Sequence, residues 1–501
     1  MRIIDVGPGD LAATAIGLLD ADHRLALVAA HHDRPQTAGR DAMRVVYLFL
    51  GPGDSRIELR LRLDGHRPQV PSLAGLSFPA GRFEREMHDL FGIRSLGHPM
   101  PRRLVRHYGW PTGWHPMRHD AGPAPEFGET LGLYPFLEVQ GPGVYEIPVG
   151  PVHAGLIEPG HFRFSVVGET ILKLKARLWF VHKGIEKLFE GNRPADKLTL
   201  AEKISGDTAV GHGLAFARAV EDALGIKVPA EAHTMRAILL ELERLYNHIG
   251  DIGALCNDVG HGILHQHAGR VREQLLRING EVTGHRLLRG GIVIGGAQVI
   301  SLPDPDRLSA LAADVAETVD LALGHTVVRD RFTGTAVLTL EQARDLGTLG
   351  YVARASGLDV DARRDHPGSD PTSAPPLVLR EGGDVLARFA VRAGEYQQST
   401  EHINTLTARL HGPGRHVAAE RGDPGTGRSG VRTGVGIAEG WRGTIVHRVE
   451  LTPDGSLSRV KVVDPSFFNW PALPVALRGA IVPDFPLVNK SFNQSYAGND
   501  L

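Results

Sequence analysis

Six long stretches of the sequence carry apolar residues at helical spacing, and they constrain the fold more than any other feature. Each is long enough for several helical turns with one buried face. Asp304, followed by a proline, and Asp384 are predicted to cap two of these helices at their N-termini. The six stretches span residues 171–188, 198–224, 230–256, 265–282, 304–323 and 383–410. Long helices joined by short turns predict a mostly α-helical bundle domain.

The N-terminal part has a different pattern. Residues 23–33, 42–52 and 56–65 read as strands, and residues 10–22 and 81–92 read as short helices. We therefore predict a multidomain chain with a small α+β domain at 1–121, a Pro/Gly-rich linker at 122–134 and the helical domain at 135–501. Small β-hairpins are predicted in the helical domain, with turns at residues 168–169 and 453–455, and a polar loop is predicted at 365–376.

Composition excludes several classes of function. The only cysteine is Cys256, so the chain can form no internal disulfide and cannot hold a thiolate iron–sulfur cluster by itself. The balance of 55 basic and 57 acidic residues is unlike that of a nucleic-acid-binding protein. No signal peptide and no apolar run of about 18 residues is visible, which predicts a cytoplasmic chain that reaches a membrane only through partners.

A glycine-rich loop at residues 150–161 is the first candidate site. It carries His153 and His161 among glycines that allow a ligand to approach the backbone closely. The loop is predicted to line a reaction chamber and to lead, after a hairpin, into a helix on which His182 and Glu186 share one face. No dinucleotide, Walker or nucleophile-elbow motif is present, so a nucleotide site is unsupported.

Two ordered sets of motifs stand out, one in each part of the chain. The first comprises residues 83–86 (FERE), 89–93 (DLFGI), 97–99 (GHP) and 116–120 (PMRHD), and it resembles the small hydrophilic C-type subunit of respiratory complex I. The second comprises residues 182–187 (HKGIEK), 241–244 (ELER) with His248, 439–443 (EGWRG) and 464–470 (DPSFFNW). It resembles the quinone-site D-type subunit, and equally the large subunit of membrane-bound nickel–iron hydrogenases of the formate hydrogenlyase or hydrogenase-4 type. The fusion in one chain favours the hydrogenase-like branch.

The sequence departs from that branch at the metal ligands. The hydrogenases bind nickel and iron through two CxxC pairs, which fall here on Ser205 with Thr208 and on Ser495 with Gly498. Hydroxyl groups and a glycine cannot replace soft thiolates as nickel ligands. The resemblance therefore implies a retained fold that binds no metal, and hydrogenase activity is excluded.

In complex I the corresponding space holds a quinone headgroup. A loop histidine and a tyrosine bind the headgroup there, and an acid pairs with the histidine. The resemblance implies His153 or His161 as the histidine and Asp258 as the acid, whereas the tyrosine position falls on Gly206. The further chamber candidates are Glu186, Asp207, Thr208 and Arg442.

The implied function is that of an oxidoreductase subunit on the inner face of the cell membrane. An iron–sulfur cluster in a partner small subunit, similar to the B-type subunit of complex I, would deliver electrons to a quinone-like acceptor, and the loop histidines would supply protons. Membrane subunits of the H type and of the antiporter-like type are the other expected partners. The chain itself is predicted to bind no cofactor, although its chamber could hold a quinone. The electron donor stays open between formate, NAD(P)H and a ferredoxin. The rival hypothesis is a catalytically silent scaffold that joins the cluster-bearing partner to the membrane arm.

Overall fold

The protein is described by a computed structural model that covers residues 1–33, 42–128, 134–155, 157–367, 374–418 and 430–501. Parts of the predicted linker at 122–134 and of the predicted loop at 365–376 lie outside these ranges. Within the described residues, no helix combines the length and the apolar character needed to cross a membrane.

The N-terminal region is an α+β unit, as the sequence predicts. Its elements are β1 (Arg2–Asp5), α1 (Leu11–Asp20), β2 (Arg24–Asp33), β3 (Ala42–Gly51), β4 (Ser55–Asp64), β5 (Gln69–Pro71), α2 (Phe78–Phe91) and β6 (Arg94–Leu96). Four strands form one sheet in the order β1-β4-β3-β2, in which only β1 and β4 run parallel. The central strand β3 is apolar and buried over most of its length, because both faces of the sheet are covered. Gly92 ends α2 in the left-handed conformation with φ +78°.

The second region opens with a three-stranded sheet and continues with helices. Its first half contains β7 (Val144–Val149), β8 (His161–Val167), β9 (Thr170–Arg177), α3 (Ile185–Phe189), α4 (Pro194–Ala201), α5 (Ala209–Leu224), α6 (Ala230–Asp258), α7 (Gly262–Thr283), β10 (Ile292–Val293) and β11 (Gly296–Val299). Its middle contains α8 (Pro305–Gly324), α9 (Thr326–Phe332), α10 (Leu340–Leu346), α11 (Gly350–Ala355), α12 (Ala362–Asp365), α13 (Val385–Thr407) and β12 (Gly414–Val417). Its last part contains β13 (Arg432–Gly440), β14 (Gly443–Leu451), β15 (Leu457–Val463), α14 (Pro465–Asn469), α15 (Ala472–Ala476), a 3-10 turn (Val482–Asp484), α16 (Phe485–Phe492) and α17 (Tyr496–Asp500).

Two of the six predicted helices are corrected by the structure. Residues 170–177 form strand β9 of a hairpin instead of a helix, because Leu172, Leu174 and Ala176 alternate with charged residues at period two. The predicted helix at 198–224 is broken into α4 and α5 by the segment 202–208. The other four helices are confirmed, and the side chains of Asp304 and Asp384 cap α8 and α13 as predicted.

Buried ion pairs join the N-terminal sheet to the C-terminal sheet of β13, β14 and β15. Arg448 on β14 donates to Glu58 on β4 at 2.8 Å, and both side chains are fully buried. Arg44 on β3 lies between Asp33 and Glu450 and donates to each carboxylate at 2.8 Å. Since Arg44 already supplies a positive charge between these acids, the cluster of His31, Asp33 and Glu450 needs no metal ion.

Candidate functional site

The resemblance assigns the hydrogenase cysteines to positions 205, 208, 495 and 498, and the structure brings the residues at 205, 495 and 498 into direct contact. Ser205 lies in the break between α4 and α5, and Ser495 precedes α17. Their hydroxyl oxygens are 2.8 Å apart, so one hydroxyl donates to the other. The Ser495 oxygen also accepts from the backbone N–H of Gly498 at 2.8 Å, which closes the first turn of α17.

An ion pair fills the space beside these hydroxyls. Both carboxylate oxygens of Asp207 accept from Arg442 at 2.7 Å, in a bidentate arrangement. One of them also accepts from Ser205 at 2.9 Å and from Thr208 at 3.0 Å. The guanidinium of Arg442 stacks on Trp441, 3.9 Å from the centre of the ring. We call Ser205, Asp207, Thr208, Arg442 and Ser495 the polar pocket.

The charges of the polar pocket follow from this geometry. Burial alone would raise the pKa of Asp207, but the adjacent Arg442 lowers it to about 2, so the carboxyl is ionised. The Asp207 side chain is 38% exposed and Gly206 is exposed, so the polar pocket reaches the surface at this edge. Behind it, Glu243 accepts from the backbone N–H groups of Val210 and Gly211 at 2.7 and 3.0 Å. Burial raises the pKa of Glu243 to about 8, with Asp207 acting in the same direction.

Position 498, the last of the four that the resemblance assigns to cysteines, has no room for a side chain. A Cβ atom on Gly498 would lie 2.5 Å from a carboxylate oxygen of Asp464, well inside van der Waals contact. Asp464 is buried and is held by His212 at 3.0 Å and by the backbone N–H of Ser466 at 2.7 Å. A carboxylate thus occupies the space that a side chain at position 498 would need. Together with the hydroxyls at the other positions, this donor set does not suit nickel.

The two loop histidines bond to the backbone of their own loop. His153 Nε2 is 2.8 Å from the carbonyl of Gly160, and His161 Nδ1 is 3.1 Å from the carbonyl of Gly150. Both imidazoles are half-buried. The loop packs against α17 at Gly160. A Cβ atom at this position would lie 2.5 Å from the ring of Tyr496, so only glycine fits there.

The predicted pairing of Asp258 with a loop histidine is not found among the described residues. Asp258 is the last residue of α6, and the charged groups that act on it are Lys490 and His265. Burial raises the pKa of Asp258. The two loop imidazoles bond to carbonyl groups, so a carboxylate partner is not needed to orient them.

Glu186 sits at a second centre, on the first turn of α3. It pairs with Arg459 at 2.7 Å and with Lys461 at 3.1 Å, and Lys461 also binds Glu86 from α2 at 2.7 Å. Burial alone would raise the pKa of Glu186, but Arg459 and then Lys461 lower it to about 2. Burial raises the pKa of Glu86.

A cavity of about 310 Å³ opens beside Glu186. Its walls are largely apolar, and the lining residues include Leu90, Val105, Trp110, Met117 and Asp500. His182 also lines the cavity, and its Nδ1 atom is 2.7 Å from the carbonyl oxygen of Asp500. The predicted helical pairing of His182 with Glu186 is therefore wrong, because His182 precedes α3 and bonds elsewhere.

Sequence reasoning missed the partners that hold these acids. Arg459 and Lys461 are alternate residues of β15 and therefore point to the same face of the sheet. The period-two pattern of the predicted hairpin could have indicated that they lie side by side. The contact of His212 with Asp464 joins residues 252 positions apart, and no local pattern indicates it.

Comparison with known families identifies both regions. Residues 4–126 match the respiratory-chain NADH dehydrogenase 30 Kd subunit, and residues 258–424 match the 49 Kd subunit. Residues 183–252, which include Ser205 and Thr208, match the nickel-dependent hydrogenases.

Curated relatives agree with these matches. The chain is 34% identical to formate hydrogenlyase subunit 5 of Escherichia coli (strain K12), over 89% of this chain and 79% of that protein. It is 33% identical to hydrogenase-4 component G of the same organism, over 89% and 78%. The C/D subunit of an NADH-quinone oxidoreductase from Phocaeicola vulgatus is 30% identical over 68% of this chain and 70% of its own length. A solved archaeal membrane-bound sulfane sulfur reductase shares the fold, with a TM-score of 0.65 and 23% identity over 72% of this chain and 99% of that one.

Proposed function

The chain belongs to the family that unites fused complex I 30 and 49 kDa subunits with formate hydrogenlyase subunit 5 and hydrogenase-4 component G, and from this premise we propose that it is the metal-free large subunit of a membrane-associated respiratory oxidoreductase complex. In this role it packs against an iron–sulfur small subunit similar to the B-type subunit of complex I. Membrane subunits of the H type and of the antiporter-like type hold the assembly on the inner face of the cell membrane.

One observation carries the metal-free assignment. The Ser205 and Ser495 hydroxyls bond to each other, and Asp464 takes the space that a side chain at position 498 would need. Nickel requires soft, anionic sulfur, and this pocket offers hydroxyls and carboxylates already bonded to protein groups. The positive charge in the pocket comes from Arg442.

We propose the cavity beside Glu186 as the place of a quinone-like acceptor. Its volume of about 310 Å³ and its apolar walls suit a small aromatic headgroup, and His182 and Trp110 offer polar tips and a stacking face. Two electrons from the cluster of the small subunit and two protons reduce the quinone to a quinol. His153 and His161 are proposed to pass protons from the surface edge, since an imidazole can accept a proton on one ring nitrogen and release one from the other.

The test is purification of the intact complex, followed by titration with a soluble quinone analogue. We expect no stoichiometric nickel in this chain and a reduction rate that falls when Trp110→Ala enlarges the cavity. The double variant His153→Ala, His161→Ala is expected to slow reduction, whereas His411→Ala, which changes a 91% exposed histidine side chain, is the matched control. Unchanged rates in the cavity and loop variants would exclude the proposed acceptor site, and stoichiometric nickel would exclude the metal-free assignment.

A scaffold role is the second candidate, favoured by the internal hydrogen bonding of Arg442 in the polar pocket. All three guanidinium nitrogens of Arg442 donate within the chain, to Asp207, Thr208 and the carbonyl of Asn493, so little donor capacity is left for a substrate. A silent scaffold would hold the small subunit against the membrane arm. An intact, assembled complex that never reduces a quinone analogue would favour it.

A further inference from the structure

A second large cavity lies where the N-terminal α+β unit meets the helical region, and we call it the joint cavity. Its volume is about 860 Å³, within the range of small-molecule sites, and it shares no lining residue with the cavity beside Glu186. One wall comes from the end of α1, the starts of β2 and α2, and the turn between β3 and β4. The facing wall comes from α10, the segments 347–349 and 358–360, the end of α12, and α14.

Much of the wall of the joint cavity is apolar. Leu25, Leu349 and Phe468 line it and are at most 4% exposed. Two further lining residues, Leu76 and Phe78, are 41% and 45% exposed. A ligand seated here would remove apolar surface of the latter two side chains from water, which is favourable for a ligand that has an apolar body of its own.

Arg24, on β2, is the unusual polar residue of this wall. Its Nη2 atom is buried and has no hydrogen-bond partner among the described residues. The acids that act on it are Glu439 and Asp365, but burial outweighs their attraction and lowers the pKa of Arg24. Buried donors in native proteins are nearly always paired, and an unpaired donor costs free energy until an acceptor arrives. The guanidinium therefore lacks an acceptor that the described chain does not provide.

The acids of the wall are already paired or lie in water. Asp359 and Asp365 both accept from Arg364, at 2.5 and 2.8 Å. Exposed charges are screened by solvent and salt and contribute less to the inner wall. The exposed charged residues of the wall are Asp22, Arg344 and Asp345.

The two histidines of the wall are bonded within the chain. His23 places Nδ1 at 2.9 Å from the carbonyl of Ala21 and Nε2 at 2.9 Å from the hydroxyl of Ser55. His366 places Nδ1 at 3.2 Å from a carboxylate oxygen of Asp54. One buried positive charge, that of Arg24, is thus left without a bonded partner, and it matches a ligand with a single negative charge.

The start of α2 adds to the positive potential of the same wall. Ser77 is the N-cap of this 14-residue helix and lines the cavity, but its side chain makes no capping hydrogen bond. The first turn of α2 contains no acidic residue. The positive end of the helix dipole therefore acts in the same direction as Arg24.

We propose that the joint cavity binds a small amphipathic monocarboxylate, such as a short fatty acid, with its carboxylate on Arg24 and its hydrocarbon body against the apolar wall. A carboxylate can accept from the planar guanidinium and supplies the missing acceptor. This site is separate from the acceptor site proposed above and involves no electron transfer.

The first test is isothermal titration calorimetry of the full chain with octanoate. We expect saturable binding of one octanoate per chain with a Kd below about 1 mM. Acetate, which lacks the apolar body, should bind at least about tenfold more weakly. Octylammonium, with the opposite charge, should show no saturable binding. Inorganic phosphate that binds as tightly as octanoate, or octylammonium that does so, would overturn the proposal.

The second test replaces the guanidinium. Arg24→Gln is expected to weaken octanoate binding at least about tenfold, because a charge-assisted hydrogen bond is lost. Arg24→Lys keeps the charge without the planar fork, so an intermediate affinity is expected. Arg344→Gln is the matched control, since Arg344 lines the same cavity but is exposed, and it should change the affinity less than about twofold. An equal loss in Arg24→Gln and Arg344→Gln would overturn the assignment to Arg24.

The third test separates a ligand-binding residue from a structural one. Since the Nη2 donor of Arg24 has no partner in the described chain, Arg24→Gln without ligand is expected to melt at the wild-type temperature or above it. Octanoate should raise the melting temperature of wild type and of Arg344→Gln, but not that of Arg24→Gln. A variant that melts well below wild type, or fails to fold, would show that Arg24 holds the structure and would overturn the proposal.

The intact complex gives the last measurement. Octanoate is expected to bind the complex with the affinity found for the full chain. Binding by the chain but not by the complex would show that a partner subunit covers the joint cavity, and would overturn a small-molecule site. Because none of these experiments involves a quinone, failure of the acceptor site leaves their outcome unchanged.

Discussion

The polar pocket and the loop at 150–161 both lie next to α17, but their polar side chains are held by different kinds of hydrogen bond. In the polar pocket, side chains bond to side chains, as Ser205 does to Ser495 and Asp207 to Arg442. In the loop, His153 and His161 bond to backbone carbonyl groups. Each member of the pocket therefore depends on its neighbours, whereas a loop imidazole can be removed without leaving a buried charge unpaired.

The largest effect is expected from Arg442→Met. This substitution removes the partner of the ionised Asp207 and the donors to Thr208 and to the Asn493 carbonyl. It should lower the free energy of unfolding by about 3 kcal/mol, at the lower end of the range for breaking a buried ion pair, because Asp207 is partly exposed. Urea denaturation of wild type and variant measures this difference. Adding Asp207→Asn should recover part of the loss, and a double variant as unstable as the sum of both single variants would show that the pair is not coupled.

A smaller loss is expected from Gly498→Cys. Its Cβ would clash with Asp464, and such overpacking costs about 2 kcal/mol. Restoring cysteines at all four positions is expected to give no nickel binding while Asp464 stays in place. Metal analysis of the fourfold variant, with and without Asp464→Gly, checks this, and nickel bound in the presence of Asp464 would contradict it.

The free energy of unfolding is expected to depend on pH through Glu243. Its pKa is about 8 in the folded chain, above the unfolded value, so the folded state holds a proton that the unfolded state has lost. Stability should therefore fall as pH rises toward 8, by about 1 kcal/mol per pH unit, and level off above it. Denaturation at several pH values should show this slope in wild type and not in Glu243→Gln; equal slopes would contradict a raised pKa.

The smallest effect is expected from His153→Ala. The lost bond to the Gly160 carbonyl should cost about 1 kcal/mol or less, because the loop is half-exposed and water can replace the imidazole. Denaturation of this variant beside His411→Ala measures the difference. A loss as large as that of Arg442→Met would remove the contrast between the two regions.

Much of the fold follows from local patterns. Helical spacing locates the long helices, and the caps at Asp304 and Asp384 are readable because the capping residue is adjacent to the helix it starts. The sequence predicts a helix where residues 170–177 form a strand, because the apolar residues of this stretch satisfy both periods and only pairing with β8 decides between them.

The candidate site could be predicted only in part. The resemblance located Ser205 and Ser495, and the structure places them in contact. The partners that define the chemistry, Asp464 for His212 and Arg459 for Glu186, are hundreds of residues distant in sequence. Such contacts arise from tertiary packing, which a single sequence does not display.

The buried pairs between the two sheets have a consequence for the integrity of the chain. Arg448 with Glu58, and Arg44 with Glu450, join surfaces that come from opposite ends of the polypeptide. Separating the two pieces would leave several charges without partners in a dry interface. A protease cut in the connecting stretch should therefore yield a nicked protein whose fragments travel together on a sizing column, much as two separately encoded polypeptides would.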